Sequence, residues 1–300
     1  MSTPALRFEA FGRERVICCH RATLSGRFPP NSLAAIAECV EARVPRLEID
    51  VRFLRDDAML VFHDSRLDHE TTGAGRVDAL DGRAARALRY RSHGDHAICF
   101  LDEVVDVMKG GETLLQVDLN LMRPIAPARE AALAAALAPI ADRVLIGTQA
   151  HWNLAPFARR GFRVAFDPTL QWHYAPARPL ELTPRQLGIH GLWDDSPLAQ
   201  IPHASARDYT AARIADLQGL VPAAVEWMVD IATIRHLASI GCALGAELSG
   251  RGIELAAWTL RDLGEPETSA ALREMLELGA TTIIADDAPA IAGLAAGLLL

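Results

Sequence analysis

The most constraining feature of this sequence is a repeated alternation of short apolar runs with longer stretches of helical periodicity. The run RVICC precedes SLAAIAECVEA, TLLQVDL precedes AREAALAAALAPIA, and GIELAAWTL precedes TSAALREMLELG. Near-continuous apolar strands that alternate with crossover helices are typical of a parallel sheet covered by helices. At least six such units in 300 residues favour an α/β fold whose sheet closes into a (β/α)8 TIM barrel. We therefore predict a single barrel domain over residues 1–300.

Two stretches break the alternation of apolar runs and helical segments. The apolar runs RLEIDVRFL and AMLVFHD are separated by too few residues for a helix, and the sequence leaves their relative direction open. Residues 166–221 carry six prolines between positions 168 and 202. A long loop-rich insertion in a compact domain is usually functional or mobile. We predict an irregular barrel with an insertion that either covers one barrel end or forms a wall of the substrate site.

Charge and cysteine content narrow the class of protein. The net charge of −8 is not accompanied by a basic stripe, which argues against nucleic acid as a partner and more weakly against adhesion to anionic membranes. The five cysteines are odd in number and irregularly spaced, so we interpret them as reduced core residues of a cytoplasmic protein. The N-terminus lacks the apolar region of a secretory signal, and the C-terminal AIAGLAAGLLL is too short to cross a bilayer. We expect no stable membrane insertion.

Polar side chains interrupt or end four of the apolar runs. They are His20 with Arg21, Glu48 with Asp50, His63 with Asp64, and Asp118. Barrel strands carry active-site groups at their C-terminal ends, and residues two apart on a strand share a face. If Glu48, Asp50 and Asp118 face the interior, their repulsion favours a bound cation, and an all-oxygen set suits Mg²⁺ or Ca²⁺ better than zinc. The alternative is that these acids point outward or pair with arginine.

Two histidines on strands that flank the acidic pair indicate acid–base chemistry on a phosphodiester. Such a reaction needs charge neutralisation, a base for the nucleophile and an acid for the leaving oxygen. A divalent cation and Arg21 would supply the first, and His20 and His63 the other two, because histidine titrates near neutral pH. A structural role for each histidine is the competing interpretation.

Several segments resemble the glycerophosphodiester phosphodiesterase family in matching order. They are CHRATLSGRFPPNSLAAI, LEIDVRFLRDDAMLVFHDSRLDHETTGAG and LLQVDLN, with weaker similarity in LAAWTLRD and GATTIIADDAPA. The resemblance covers most of the chain outside residues 166–221. It implies a (β/α)8 barrel that hydrolyses glycerophosphodiesters to glycerol 3-phosphate and an alcohol, with a divalent metal ion.

The resemblance also implies a role for individual residues. His20 and His63 match the acid–base pair, without an indication of which is the acid. Arg21 matches an arginine that contacts phosphate, and Trp258 a tryptophan that lines the pocket. The residues that match metal ligands are Glu48, Asp50 and Asp118.

Three positions depart from the family pattern. Ala22 stands where the family usually has glycine, and Pro30 where it usually has glutamate. Asn120 stands where a lysine usually follows the third acid, so a cation near the phosphate is missing and Asn120 becomes a candidate residue of the substrate pocket. Because the acids and both histidines remain, we still expect catalysis.

Three functions are compatible with these residues. The first is hydrolysis of a small-molecule glycerophosphodiester in lipid and glycerol metabolism. The second is a lysophospholipase D-like or sphingomyelinase D-like reaction, for which the aromatic insertion would have to supply an apolar groove. The third is a non-catalytic barrel that binds a phosphorylated ligand. The sequence does not determine the head group of the substrate or the oligomeric state.

Overall fold

The computed structural model describes residues 5–176, 185–202 and 205–298. Within these ranges the chain forms fourteen β-strands and ten α-helices. The strands are β1 Arg7–Ala10, β2 Arg13–Cys19, β3 Arg46–Phe53, β4 Met59–Val61, β5 Cys99–Phe100, β6 Leu114–Leu119, β7 Val144–Thr148, β8 Arg163–Phe166, β9 Trp172–His173, β10 Gln186–Leu187, β11 Trp193–Asp194, β12 Ala224–Asp230, β13 Glu254–Leu260 and β14 Thr282–Ala285. The helices are α1 Leu33–Glu41, α2 Gly82–Ala85, α3 Leu101–Met108, α4 Pro127–Leu137, α5 Ala155–Arg159, α6 Ala206–Leu220, α7 Ile231–Ser239, α8 Leu244–Ser249, α9 Glu267–Glu277 and α10 Ala288–Leu298.

Eight parallel strands of the described chain close into a barrel. Their order is β2, β3, β6, β7, β8, β12, β13, β14 and back to β2. β14 pairs with β2 over four residues, and β2 pairs with β3 at Cys19 and Leu47, which closes the ring. Helices connect the successive barrel strands, so the predicted (β/α)8 barrel is confirmed.

Three strands lie outside the ring, and one of them, β4, follows β3 without an intervening helix. β1 pairs antiparallel with β2, whereas β4 pairs antiparallel with β3 and β5 with β4. The two runs whose direction the sequence left open are therefore antiparallel. Since β4 turns back along β3, it returns toward the barrel mouth, and the Phe62 N–H donates to the carbonyl of Asp50 at 2.9 Å. His63 follows directly and so arrives beside the acids of β3.

The barrel interior is filled by side chains that alternate along each strand. One layer of the interior is apolar: Cys18, Leu145, Ala165, Met228, Ala256 and Ile284. Nearer the N-terminal end, the Arg46 guanidinium donates two hydrogen bonds of 2.7 Å to the Glu226 carboxylate. Glu48 and Asp50 share the face of Arg46 on β3, so they occupy the next interior positions toward the C-terminal end.

The predicted insertion over residues 166–221 lies partly outside the described ranges, since these leave out 177–184 and 203–204. Its described part contains a small antiparallel sheet, in the order β9, β11, β10, and the 15-residue helix α6. Asp194 of β11 pairs with Arg213 of α6 and accepts a hydrogen bond from Tyr209, so the sheet is held against the helix. α6 connects β8 to β12 and therefore takes the place of a barrel crossover helix. The prolines are concentrated before it, and Ser205 caps its start by accepting from the Asp208 N–H.

The five cysteines are free and buried, as the sequence predicted. Cys18 belongs to the interior cluster of the barrel and Cys19 to the core outside it, because neighbours on a strand face opposite ways. In the described chain, the helices are too short or too polar to cross a membrane.

Candidate active site

The end of β2 delivers two polar groups to the C-terminal mouth of the barrel. After Cys19 the chain forms a 3₁₀ turn, His20–Ala22, in which Arg21 and Ala22 have φ of 50° and 56°. The imidazole Nδ1 of His20 lies 2.5 Å from Asp286 Oδ1, and its Nε2 lies 4.0 Å from Glu48 Oε2. The left-handed backbone at Ala22 suits glycine better, and alanine pays about 1 kcal/mol for it.

Three carboxylates converge beside this turn. Glu48 and Asp50 lie on β3, and Asp118 lies on β6 directly opposite Asp50 in the strand register. One oxygen from each carboxylate lies within 4.8 Å of the others. Burial, and then the charges of Asp50 and Asp118, raise the pKa of Glu48 well above its usual range. Burial, and then Asp50 and Asp167, raise the pKa of Asp118 in the same way, so the cluster is short of positive charge.

Two asparagine side chains orient the central carboxylate. Asn31 Nδ2 donates to Asp50 Oδ2 at 2.8 Å, while the Asp50 N–H donates to Asn31 Oδ1 at 3.1 Å. Asn120 Nδ2 donates to Asp50 Oδ1 at 2.6 Å. Asn120 thus faces an acid of the cluster, in addition to lining the cavity described below. Since each oxygen of Asp50 accepts from a neutral amide, these hydrogen bonds set its orientation but do not neutralise its charge.

His63 stands at the rim of this cluster. Its carbonyl oxygen accepts from Arg52 Nε at 2.7 Å, and Arg52 Nη1 donates to the Asn120 carbonyl at 3.2 Å. The imidazole Nδ1 lies 2.8 Å from Asp64 Oδ1, and 40% of the side chain is exposed. The His63 imidazole is therefore partly exposed beside a buried acid cluster.

One cavity of about 300 Å³ at the C-terminal end of the barrel connects these groups. All the site residues that the sequence predicted line it: His20, Arg21, Glu48, Asp50, His63, Asp118, Asn120 and Trp258. The structure therefore brings the eight residues together, and their individual roles stay predictions. Pro30, the third departure from the family pattern, is exposed and outside the lining.

A larger cavity, about 810 Å³, lies near the opposite end of the barrel. Its lining includes Pro45 and Thr113, which precede β3 and β6. Among its lining residues in the described chain there is no histidine and no convergent carboxylate set. The volume of a cavity therefore does not identify the candidate active site. The histidines and carboxylates that line the smaller cavity at the C-terminal mouth identify it.

Four residues that the sequence analysis did not single out contribute to the site. They are Asn31, Gln149, Asp167 and Asp286. Gln149, Asp167 and Asp286 each come directly after a barrel strand, at the end where active-site groups collect. That signal was present in the runs VLIGTQ, VAFD and TIIAD, although the sequence alone does not show which side chain each one meets.

Comparison with known proteins finds similarity to phosphodiesterases. The model of the glycerophosphoryl diester phosphodiesterase family matches residues 20–289. The "Probable glycerophosphodiester phosphodiesterase 1" of Mycobacterium tuberculosis is 29% identical over 119 residues, which are 36% of this chain and 43% of that protein. The chain spans about half the length of the first curated relatives it matches.

Two solved structures share the fold. A glycerophosphodiester phosphodiesterase from Agrobacterium tumefaciens superposes with a TM-score of 0.60 at 19% identity, over 93% of this chain and 99% of that one. A phosphodiesterase from Oleispira antarctica, in complex with sn-glycerol-3-phosphate, superposes with a TM-score of 0.62 at 16% identity, over 93% and 96% of the two chains.

Proposed function

This chain belongs to the glycerophosphoryl diester phosphodiesterase family, and from that membership we propose that it hydrolyses glycerophosphodiesters to glycerol 3-phosphate and an alcohol. The observation that carries the proposal is the convergence of His20, His63, Arg21 and three carboxylates on one cavity. The related Oleispira antarctica structure holds sn-glycerol-3-phosphate, one of the two products proposed for this chain.

The donor set of Glu48, Asp50 and Asp118 supports one divalent cation, Mg²⁺ or Ca²⁺, as the cofactor. All three donors are carboxylates, which hard cations prefer, and buried like charges favour a cation between them. Such a cation would neutralise negative charge on the phosphate. Arg21 adds a second positive charge beside the acids, because its buried Nε lies 3.6 Å from Asp50 Oδ2. This Nε forms no hydrogen bond within the described chain, so it is available to a phosphate oxygen.

His20 and His63 are proposed to transfer the two protons of the reaction. Each imidazole has Nδ1 beside a carboxylate, that of Asp286 or Asp64, so Nε2 is the atom left for proton transfer. One histidine takes a proton from the attacking water. The other donates a proton to the alcohol oxygen as the bond between that oxygen and phosphorus breaks.

A neighbouring groove favours a second candidate, a lysophospholipase D-like or sphingomyelinase D-like reaction. The groove, about 530 Å³, shares Thr259 and Arg261 with the catalytic cavity and is lined by apolar side chains that include Ile231, Leu260 and Leu263. A lysolipid acyl chain would find apolar surface there. Enzymes of this second kind can release a cyclic phosphate, so ³¹P NMR of the products distinguishes the two reactions.

The test is turnover of a panel of glycerophosphodiesters by chelated protein, with Mg²⁺ or Ca²⁺ then added back. We expect chelation to abolish hydrolysis and one or both cations to restore it. His20→Ala and His63→Ala should each lose roughly 10²–10⁴ in kcat on a substrate with a poor leaving alcohol. His69→Ala is the matched control, because His69 is exposed and does not line the cavity.

Each outcome decides one part of the proposal. Full activity of metal-free protein would exclude the cation. Normal turnover of a histidine variant would remove that residue from the mechanism. The complete lack of turnover on every diester, with both cations, would favour a non-catalytic barrel that binds a phosphorylated ligand.

A further inference from the structure

Gln149 and Asp167 form a polar pair on the wall of the catalytic cavity, apart from the acids proposed to bind metal. Gln149 follows β7 and Asp167 follows β8, and both line the cavity. The register of β7 with β8 puts Thr148 opposite Phe166, so the two residues that follow lie side by side. Gln149 Nε2 donates to Asp167 Oδ2 at 3.4 Å. Asp167 is only 5% exposed, so its carboxylate faces the cavity rather than bulk water.

The two oxygens of Asp167 are in different situations. Oδ1 accepts from the N–H and the hydroxyl of Thr169, at 2.8 and 2.5 Å, and so caps the turn that follows β8. Among the described residues, Oδ2 has only the long contact from Gln149. Gln149 Oε1 accepts no hydrogen bond from the described residues. The pair therefore presents two acceptor oxygens to the cavity that the local fold leaves available.

Asp167 also lacks a positive partner. Within the described chain no lysine, arginine or histidine nitrogen lies within 4.0 Å of its carboxylate. Burial is the main cause that raises the pKa of Asp167 to about 7, since it outweighs the hydrogen bonds from Thr169, which lower the pKa, and the charge of Asp230 adds a smaller rise within that value. A carboxylate that is desolvated without a cation is a favourable partner for a cation brought by a ligand.

We propose that Asp167, assisted by Gln149, is a specificity-determining residue that binds a protonated amine on the alcohol portion of the substrate. This inference rests on the proposed function, and it names the substrate class as glycerophosphodiesters of amino alcohols. A protonated primary amine has three donors, and it would satisfy Asp167 Oδ2 and Gln149 Oε1 together. A neutral hydroxyl has one donor and no charge, so it would bind this pair less tightly.

The test compares two ligands of matched size, O-phosphoethanolamine and 2-hydroxyethyl phosphate, by calorimetric titration of the cation-loaded full chain. Their head groups differ only in an ammonium against a hydroxyl. At about pH 8 the Asp167 carboxyl is largely ionised and a primary amine is largely protonated. We expect the amine to bind roughly tenfold more tightly or better, which is the lower range for a hydrogen bond between charged groups. Asp167→Asn should reduce that preference to about twofold or less.

Asp287→Asn is the matched control, because Asp287 also follows a barrel strand, β14, and caps the next helix. Its carboxylate accepts from the Ala290 N–H and does not line the cavity, so this variant should keep the preference. Equal binding of both ligands to the wild type, equal losses for both in Asp167→Asn, or the same loss in Asp287→Asn would each overturn the proposal. Because the ligands are monoesters, the result is independent of turnover. The ratio of kcat/KM for the corresponding two glycerophosphodiesters then tests the selectivity of hydrolysis separately.

Discussion

Hydrogen bonds from neighbouring side chains orient the groups proposed to act on the substrate. Asn31 and Asn120 hold the two oxygens of Asp50, and Asp286 lies 2.5 Å from Nδ1 of His20. The contact with His20 lowers the pKa of Asp286, so this carboxyl stays ionised near neutral pH. An ionised acceptor at Nδ1 keeps the proton there, which leaves Nε2 for the substrate.

Asp286→Asn should therefore lower kcat by roughly 10²-fold or more while KM changes little, because an amide in place of the acid favours the wrong tautomer. The measurement is steady-state kinetics on a poor leaving alcohol, with ¹⁵N shifts of the His20 ring as a direct report of the tautomer. Asp287→Asn is the control, since Asp287 caps the start of α10 instead. A normal kcat, or an unchanged ring tautomer, would contradict this positioning role.

A second residue-level prediction concerns Asp167 and pH. Burial raises the pKa of Asp167 from 3.8 to about 7, so the folded chain binds the proton of this carboxyl more tightly than the unfolded chain does. The resulting stability is fully present below about pH 4 and is lost as the pH rises through about 7. Asp167→Asn has no such dependence, so its Tm relative to wild type should rise between about pH 5 and pH 8 in metal-free protein. A Tm difference that is constant over this range would contradict the burial of an unpaired carboxyl.

At the scale of elements, strand β3 carries interior side chains from the N-terminal end of the barrel to the candidate site. Arg46, Glu48 and Asp50 project from the same face of β3 at three successive interior levels. Arg46 pairs with Glu226 of β12 and donates to Gln116 Oε1 of β6 at 2.6 Å. These bonds join three barrel strands below the apolar layer, and so they hold β3 where it presents its two acids.

Arg46→Met should destabilise the fold by about 3–5 kcal/mol, because Glu226 is then a buried charge without its partner. The double variant Arg46→Met/Glu226→Met should recover much of that loss, since it removes both charges. Urea unfolding of the wild type, both single variants and the double variant measures the coupling. A loss below about 1 kcal/mol in the Arg46 variant would show that the pair is not fully desolvated.

At the scale of the whole molecule, the barrel assembles like charges that the chain itself neutralises only in part. In the described chain, Arg21 lies 3.6 Å from Asp50 and His20 lies 4.0 Å from Glu48, against three buried acids. Folding therefore brings together carboxylates that repel one another, at a cost in free energy. A ligand that binds only the assembled cluster would recover that cost.

Mg²⁺ or Ca²⁺ should accordingly raise the Tm of chelated protein. At a concentration of 100 Kd the stabilisation would be about 2.7 kcal/mol for one site. Glu48→Gln should weaken this response, whereas the exposed Glu112→Gln should retain it. Calorimetry with and without cation measures both variants, and an equal response in Glu48→Gln would place the bound cation elsewhere.

Local patterns determined the class of the fold and placed Glu48 and Asp50 on one face of a strand, because strand and helix periodicities depend on residues close in sequence. They also indicated that His20 ends one apolar run and that Glu48, Asp50 and Asp118 interrupt two others. Tertiary structure alone decided the contacts between residues distant in the chain. The pair His20–Asp286 is separated by 266 positions and the pair Asn120–Asp50 by 70. Such pairs depend on barrel closure, a property of all eight strands together, which no short stretch of sequence contains.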